Sequence, residues 1–339
     1  MTYREQPEAL LLMNRETYEA KFDRVRRRRL ESLVTLGDPA WTADLDSERV
    51  RARLGRVEVL ITGWGAERIT GRHLSLMPRL RGLFHCAGTV RPIISDGFWE
   101  RGIVVSNAAD ANAVPVAEFT LAAVIMAGKK VPFLANDVRA TWGDWAYISR
   151  FGELSNLGRT VGVVGLSRIG RRVVTLLQQL EDITVLVADP YADPAETAAL
   201  GGQIRNLEEM LPALDVLSLH APALPSTRHM IGAAQLALLP DHATVINTAR
   251  GSLIDTQALE RECASGRLNA ILDVIEPEPL QADSVLYRLP NVMLTPHVAG
   301  SLGSELYRMT DSALDEVERF ITGRPLVSQI TSETFKVSA

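Results

Sequence analysis

The sequence predicts an α/β protein of two domains, each built on a parallel sheet. Three observations carry this. Short apolar runs recur along the 339 residues with helical patterns between them. Residues 160–170, T-V-G-V-V-G-L-S-R-I-G, join such a run to a glycine turn and then to the helical pattern of 171–180. A long alanine-rich stretch, 116–139, separates an earlier group of runs from a later one.

The earlier group begins with a strand at 9–13, followed by a basic helix containing Arg24 and 26–29. Phe22, Val25, Leu30 and Leu33 lie among those arginines, so they read as the wet face of a helix. Strands follow at 57–62, 83–86 and 103–106, the second and third of the four ending in Gly63-Trp64-Gly65 and Ala87-Gly88-Thr89. Residues 116–139 read as one or two helices interrupted at Pro132, crossing to the second group. A loop-like stretch holds Trp142, Trp145 and Tyr147. Further strands are expected at 161–164, 184–188, 216–220, 244–248, 270–274 and 292–295, with a helix at 256–265. Glu305–Ile321 is amphipathic and returns to the first domain, which then holds both chain ends.

Composition narrows the function. A net charge of −5 gives no reason to expect a nucleic acid or an anionic membrane as partner. No run approaches a membrane span, and the apolar run at 9–13 is too short for the core of a signal peptide. Cys86 and Cys263 are far apart and in no metal-like spacing, which suits a reducing cytoplasm and implies no metal.

The order strand, glycine turn, helix, strand, acid is a dinucleotide fingerprint. A pyrophosphate would rest on the free N–H groups at the helix start, beginning near Gly165 and ending near Gly170. Asp189 closes the next strand nineteen residues beyond Gly170, where an acid meets ribose hydroxyls. Ser167 replaces the middle glycine of the pattern; its hydroxyl is able to donate to a phosphate oxygen.

Three later strands each lead into a charged or ionisable residue: 245–247 into Arg250, 271–274 into Glu276 and Glu278, and 292–294 into His297. If these strands are parallel, a cation, a carboxylate and a proton carrier emerge on the edge that holds the cofactor. Singly, each has a plainer reading, as a loop arginine, one acid among several, or a capping histidine.

Taken together these stretches resemble the D-isomer-specific 2-hydroxyacid dehydrogenase family, NAD-dependent and of the glyoxylate/hydroxypyruvate reductase and phosphoglycerate dehydrogenase-like kind. The matching residues are 160–170, A-D-P-Y at 188–191, L-H-A-P at 219–222, S-T-R-H-M-I at 226–231, N-T-A-R-G at 247–251, L-D-V-I-E-P-E-P at 272–279 and T-P-H-V-A-G-S at 295–301. The resemblance implies two Rossmann-like domains with parallel sheets. An NAD-binding domain, 111–303, would be inserted into a flavodoxin-like substrate domain, 1–110 with 304–339. It also implies a homodimer.

Roles follow from the same resemblance. Arg250 would hold the carboxylate and keto oxygen of a 2-keto acid, His297 would be the acid/base, and Glu278, not Glu276, would keep His297 protonated. Ser167, Arg168 and Ile169 would meet the pyrophosphate and Asp189 the ribose. His220, Ala221 and Pro222 would line the adenosine side, and Asp273 would meet the nicotinamide carboxamide. Gly165, Pro190, Thr227, Thr248, Ala249 and Gly300 complete the expected NAD contacts. The substrate would lie against Trp64 and the loop Ala87, Gly88 and Thr89. Arg91 is either an extra cation for the substrate or a residue facing solvent or paired with a nearby acid. Two alternatives stay open: a phosphite-type dehydrogenase of the same family, and an NAD(H)-sensing corepressor-like scaffold.

Overall fold

The computed structural model describes residues 6–136 and 138–337; the expected domain limits at 1 and 339, and position 137 of the crossing helices, lie outside them. The chain divides into two compact units, one of Met1–Asn112 with Ser301–Ala339 and one of Ala113–Gly300.

In the first unit the strands are β1 (Glu8–Leu12), β2 (Thr35–Thr42), β3 (Val59–Thr62), β4 (Gly82–His85) and β5 (Val104–Asn107). They run parallel in the order β2-β1-β3-β4-β5, the flavodoxin-like order, and the short strand Gln329–Ile330 adds antiparallel to β5. Alternate residues feed two cores. Leu10, Leu12, Leu60, Leu83 and Val105 pack on one face, and Ala9, Leu11, Val59, Ile61 and Phe84 on the other. Burial on both faces is why these strands read as unbroken apolar runs.

In the second unit β6 (Thr160–Val164), β7 (Thr184–Ala188), β8 (Gln203–Ile204), β9 (Val216–Leu219), β10 (Thr244–Asn247), β11 (Asn269–Leu272) and β12 (Val292–Leu294) form one parallel sheet. Its order, β8-β7-β6-β9-β10-β11-β12, is the doubly wound Rossmann order with a seventh strand. The order reverses between β6 and β9, so the crevice at their carboxyl ends is where a ligand belongs. Val161, Val163, Val185, Val187, Ile246 and Ile271 pack on one face of this sheet; Leu217, Leu219, Val245, Ala270 and Leu272 pack on the other.

Five expectations need correction. β2 was not foreseen: its sequence, T-L-G-D-P-A-W-T, carries glycine and proline, which an edge strand tolerates and a central one does not. Helix Ala109–Gly128 begins before the expected 116, and it does not break at Pro132. The break falls at Lys130, whose φ is 52°, and Pro132 lies in the first turn of the next helix, Val131–Asn136. Ala109–Gly128 is also long and apolar enough to cross a membrane by length and composition, contrary to the expectation that no run approaches a span. Half of it is buried in the protein, with Ala117, Ala123, Val124 and Ala127 in the second unit's core. The wet-face reading holds for Arg24, Arg27 and Arg28, which are exposed, but Arg26 and Arg29 are half-buried and paired. They pair with Asp311 at 2.5 Å and with Asp315 and Glu318 at 2.5 and 3.1 Å, all on helix Glu305–Ile321 of the same unit. The stretch around Trp145, expected as a loop, contains the short helix Trp145–Ile148, capped by Asp144.

Candidate active site

The glycine turn after β6 is shaped by contact. Gly165 has φ 93°, and a Cβ there would lie 2.6 Å from the backbone nitrogen of Ala221. A Cβ on Gly170 would strike the Gly165 carbonyl. Helix and strand are therefore packed as closely as a dinucleotide turn requires. Ser167 is the extended N-cap of helix Arg168–Leu177, and its hydroxyl accepts from the Gly170 N–H at 3.3 Å. The hydroxyl proton remains for another acceptor. Serine here replaces the missing glycine with a cap, so the departure has a structural reason.

Asp189 ends β7 with its charge fixed. One carboxylate oxygen accepts from the Leu166 N–H at 2.7 Å and the other from the Tyr191 N–H at 2.8 Å. It thereby ties the acid to the glycine turn. At the end of β9, His220 is buried; its Nε2 bonds the Ser218 hydroxyl at 2.8 Å and its Nδ1 has no partner. Burial pushes this ring down to about 3, so it is neutral. An orphaned buried nitrogen beside a tight glycine turn fits a polar ligand at that edge. Together with the fixed acid, these residues fit NAD.

Other expected NAD contacts have structural work of their own. The Thr227 hydroxyl donates to the Pro222 carbonyl at 2.6 Å and accepts from the Leu224 N–H, closing the 222–227 turn. Thr248 is buried and bonds Thr120 at 3.0 Å. Ala249 and Ala221 are buried, Ile169 and Gly300 are half-buried, and Pro190 and Arg168 are exposed.

Arg250, Glu278 and His297 come together within the second unit. Asn247, last in β10, accepts from the Ala249 N–H at 3.0 Å and donates to the Arg250 carbonyl at 2.9 Å, which sets the turn that presents Arg250. The residue is exposed as a whole, but its guanidinium donates to the Ala249 carbonyl at 2.6 Å, and burial of that group lowers its pKa while the Glu278 carboxylate works the other way. Glu278 Oε1 lies 2.7 Å from His297 Nδ1, with both side chains about half exposed. Glu276 faces elsewhere: Arg228 at 2.7 Å and His229 at 3.1 Å hold it, and they keep its carboxyl below the usual range. The two acids thus meet different neighbours, Glu278 the ring of His297 and Glu276 the side chains of Arg228 and His229.

His297 sits at φ 56°, in the left-handed region that a non-glycine residue rarely adopts. Asp273 holds it there. The Asp273 carbonyl accepts from the His297 N–H at 3.0 Å. Its buried carboxylate accepts from the Thr295 hydroxyl at 2.6 Å and from the N–H groups of Val298 and Ala299 at 2.8 and 2.9 Å. Asp273, expected at a carboxamide, thus also builds the His297 loop. Sequence reasoning missed the Asp273–Thr295 clamp; an acid ending a buried strand opposite a threonine was the available signal.

The residues expected at the substrate are in the first unit. Ala87 is buried, and Gly88 and Thr89 are half-buried. Trp64 is 43% exposed, and one face of its ring covers the Lys21 ammonium, 4.2 Å from the centroid. Arg91 is engaged: it donates to the Phe335 carbonyl at 2.6 Å and lies over the Phe335 ring. Among the described residues no cluster of ligands suits a metal ion.

The chain is similar to known proteins over most of its length. Residues 121–299 match the pattern of the D-isomer specific 2-hydroxyacid dehydrogenase, NAD binding domain. The chain is 32% identical over 279 residues to a glyoxylate reductase of Aeropyrum pernix, covering 80% of this chain and 82% of that one. It is 31% identical over 274 residues to a D-3-phosphoglycerate dehydrogenase of Methanocaldococcus jannaschii, covering 80% of this chain and 51% of the other, so it spans about half the length of that relative. The crystal structure of D-mandelate dehydrogenase from Rhodotorula graminis shares the fold, with a TM-score of 0.79 and 22% identity over 96% of this chain and 98% of that one. NAD is the cofactor that this domain carries, and the chain belongs to the D-isomer specific 2-hydroxyacid dehydrogenase family.

Proposed function

We propose that this protein is an NAD-dependent dehydrogenase that interconverts a 2-keto acid and a D-2-hydroxy acid. The observation that carries the reading is the 2.7 Å bond between His297 Nδ1 and Glu278, in the unit that also presents Arg250. NADH, when bound, supplies the hydride for C2 of the keto acid. The remaining work falls to side chains. Arg250 offers planar, two-point donation to the carboxylate and keto oxygen. As that oxygen gains charge, His297 gives it a proton from Nε2, the nitrogen left after Nδ1 bonds Glu278. Glu278 places its negative charge against Nδ1 of the ring that delivers the proton. In the reverse direction His297 takes the proton back.

The second unit is then the nucleotide-binding domain and the first the substrate domain, whose Ala87–Thr89 loop takes the substrate carboxylate on its N–H groups. The reading includes a homodimer, supported by the exposed apolar side chains of Val131, Val138, Trp142, Trp145 and Leu157. It places the enzyme in a reducing cytoplasm, which suits the buried free thiols Cys86 and Cys263. The test is NADH oxidation with a panel of glyoxylate, hydroxypyruvate, pyruvate, phenylpyruvate and 2-ketoisocaproate. Turnover with at least one is expected. Tight NADH binding without turnover would point to a binding scaffold instead, and phosphite-dependent NAD reduction would select the phosphite-type branch.

A further inference from the structure

Lys21 ends the first unit's helix Arg15–Lys21, and its side chain is fully buried. Its ammonium donates to the Cys86 carbonyl at 2.7 Å and lies under the Trp64 ring. Among the described residues no carboxylate pairs with it. Helix Glu305–Ile321 packs on the same helix, but its Asp311, Asp315 and Glu318 are taken by Arg26 and Arg29. On Lys21's own helix, Arg15 and Glu19 pair with each other in solvent. His85, last in β4, and Cys86 just after it face Lys21, and burial keeps both neutral by pushing the imidazole down to about 3 and the thiol up to about 12. A buried ammonium with no counter-charge is costly and calls for an anion.

The loop that Lys21 touches is built to receive one. Three successive carbonyls are turned inward and held: Cys86 by Lys21, Ala87 by the Ala108 N–H at 2.9 Å, and Gly88 by Asn107 Nδ2 at 2.5 Å. The N–H groups of Ala87, Gly88 and Thr89 have no acceptor among the described residues. Consecutive free amides of this kind form an anion-binding concavity.

We propose that Lys21 is the buried counter-charge of the Ala87–Thr89 carboxylate cradle, fixing the loop through the Cys86 carbonyl and making it select an anionic substrate group over a neutral one. This rests on the proposed assignment of the cradle to the substrate carboxylate. Lys21 is a positioning residue; the Cys86 carbonyl stands between it and the bound anion. Burial also lowers its pKa to about 8, so its charge, and with it the anion affinity, fades as pH rises through that value.

Lys21→Met keeps length and packing while removing charge and donor. Its KM for the best 2-keto acid should rise tenfold or more with kcat within threefold, while KM for the corresponding neutral 2-keto amide stays within twofold. Its thermal midpoint should hold or rise, because an unpaired buried charge is gone. A merely structural lysine would instead lower the midpoint and affect acid and amide alike, which overturns the proposal. If Lys21→Met does not fold, the wild-type enzyme carries the test: KM for the keto acid should climb above about pH 8 while that for the amide stays flat, and parallel profiles overturn the idea. Oxalate binding to the NADH complex, measured by calorimetry, reads the same charge without turnover. Tenfold weaker binding in Lys21→Met is expected; equal binding, or none to the wild type, overturns the proposal even if the enzyme proves inactive on keto acids.

Discussion

Glu278→Gln separates the two acids of the 272–279 loop and sizes the contribution of the one that meets His297. Glutamine keeps the shape and a hydrogen-bonding oxygen near Nδ1 but removes the charge. The pair is close, 2.7 Å, yet both side chains are about half exposed. Solvent screening then puts the interaction near the upper end for exposed ion pairs, about 1 kcal/mol. The carboxylate attracts the donor while it carries its proton, so its removal should cost about fivefold in kcat/KM for keto-acid reduction, felt most on the alkaline side of the pH–rate profile. The assay is kcat/KM for NADH-dependent reduction between pH 5 and 9. Glu276→Gln serves as the comparison. It frees Arg228 and His229 and should leave the profile in place. A profile that moves with Glu276→Gln and not with Glu278→Gln would refute the division of roles.

Cofactor choice and acid stability give further tests. Asp189, fixed by two backbone N–H groups, should repel a 2′-phosphate by about 1–4 kcal/mol, a preference for NADH over NADPH of about fivefold to several hundredfold in kcat/KM; equal efficiency would mean that Asp189 does not face the ribose. His85 and His220, each pushed by burial to about 3, are neutral in the folded chain but titrate near 6.5 when unfolded. Their contribution to stability is fully present above about pH 6.5 and is lost as pH falls toward 3. Urea titrations should show a loss of about 4 kcal/mol between pH 7 and 5; a flat profile over that interval would contradict their burial as neutral rings.

The legible parts of this protein were those where chemistry leaves a local mark. Buried parallel strands read as apolar runs, so β6, β7 and the strands bearing Arg250, Glu278 and His297 were visible within a residue or two. Glu305–Ile321 was visible to the residue, because its apolar stripe has the helical period throughout. The edge strand β2 and the two-residue strands were not. β2 carries Gly37 and Pro39, and β8 and Gln329–Ile330 are too short to show any period. Side-chain partnerships across long sequence separations were equally hidden. Nothing local says that Arg29 meets Asp315, that Arg91 meets Phe335, or that Lys21 reaches Cys86. The Asp273 clamp lay between these cases: the acid was visible, but its four bonds to the loop of Thr295–Ala299 depend on a left-handed residue at 297 that no local pattern announces.

The most direct measurement is the single-turnover rate of His297→Ala with saturating NADH and the best 2-keto acid of the panel, followed at the NADH absorbance. If His297 is the proton donor, the rate falls by about 10²–10⁴-fold, with NADH affinity unchanged because the fingerprint and Asp189 are untouched. A rate within threefold of wild type would contradict the assignment of His297 and with it the proposed mechanism.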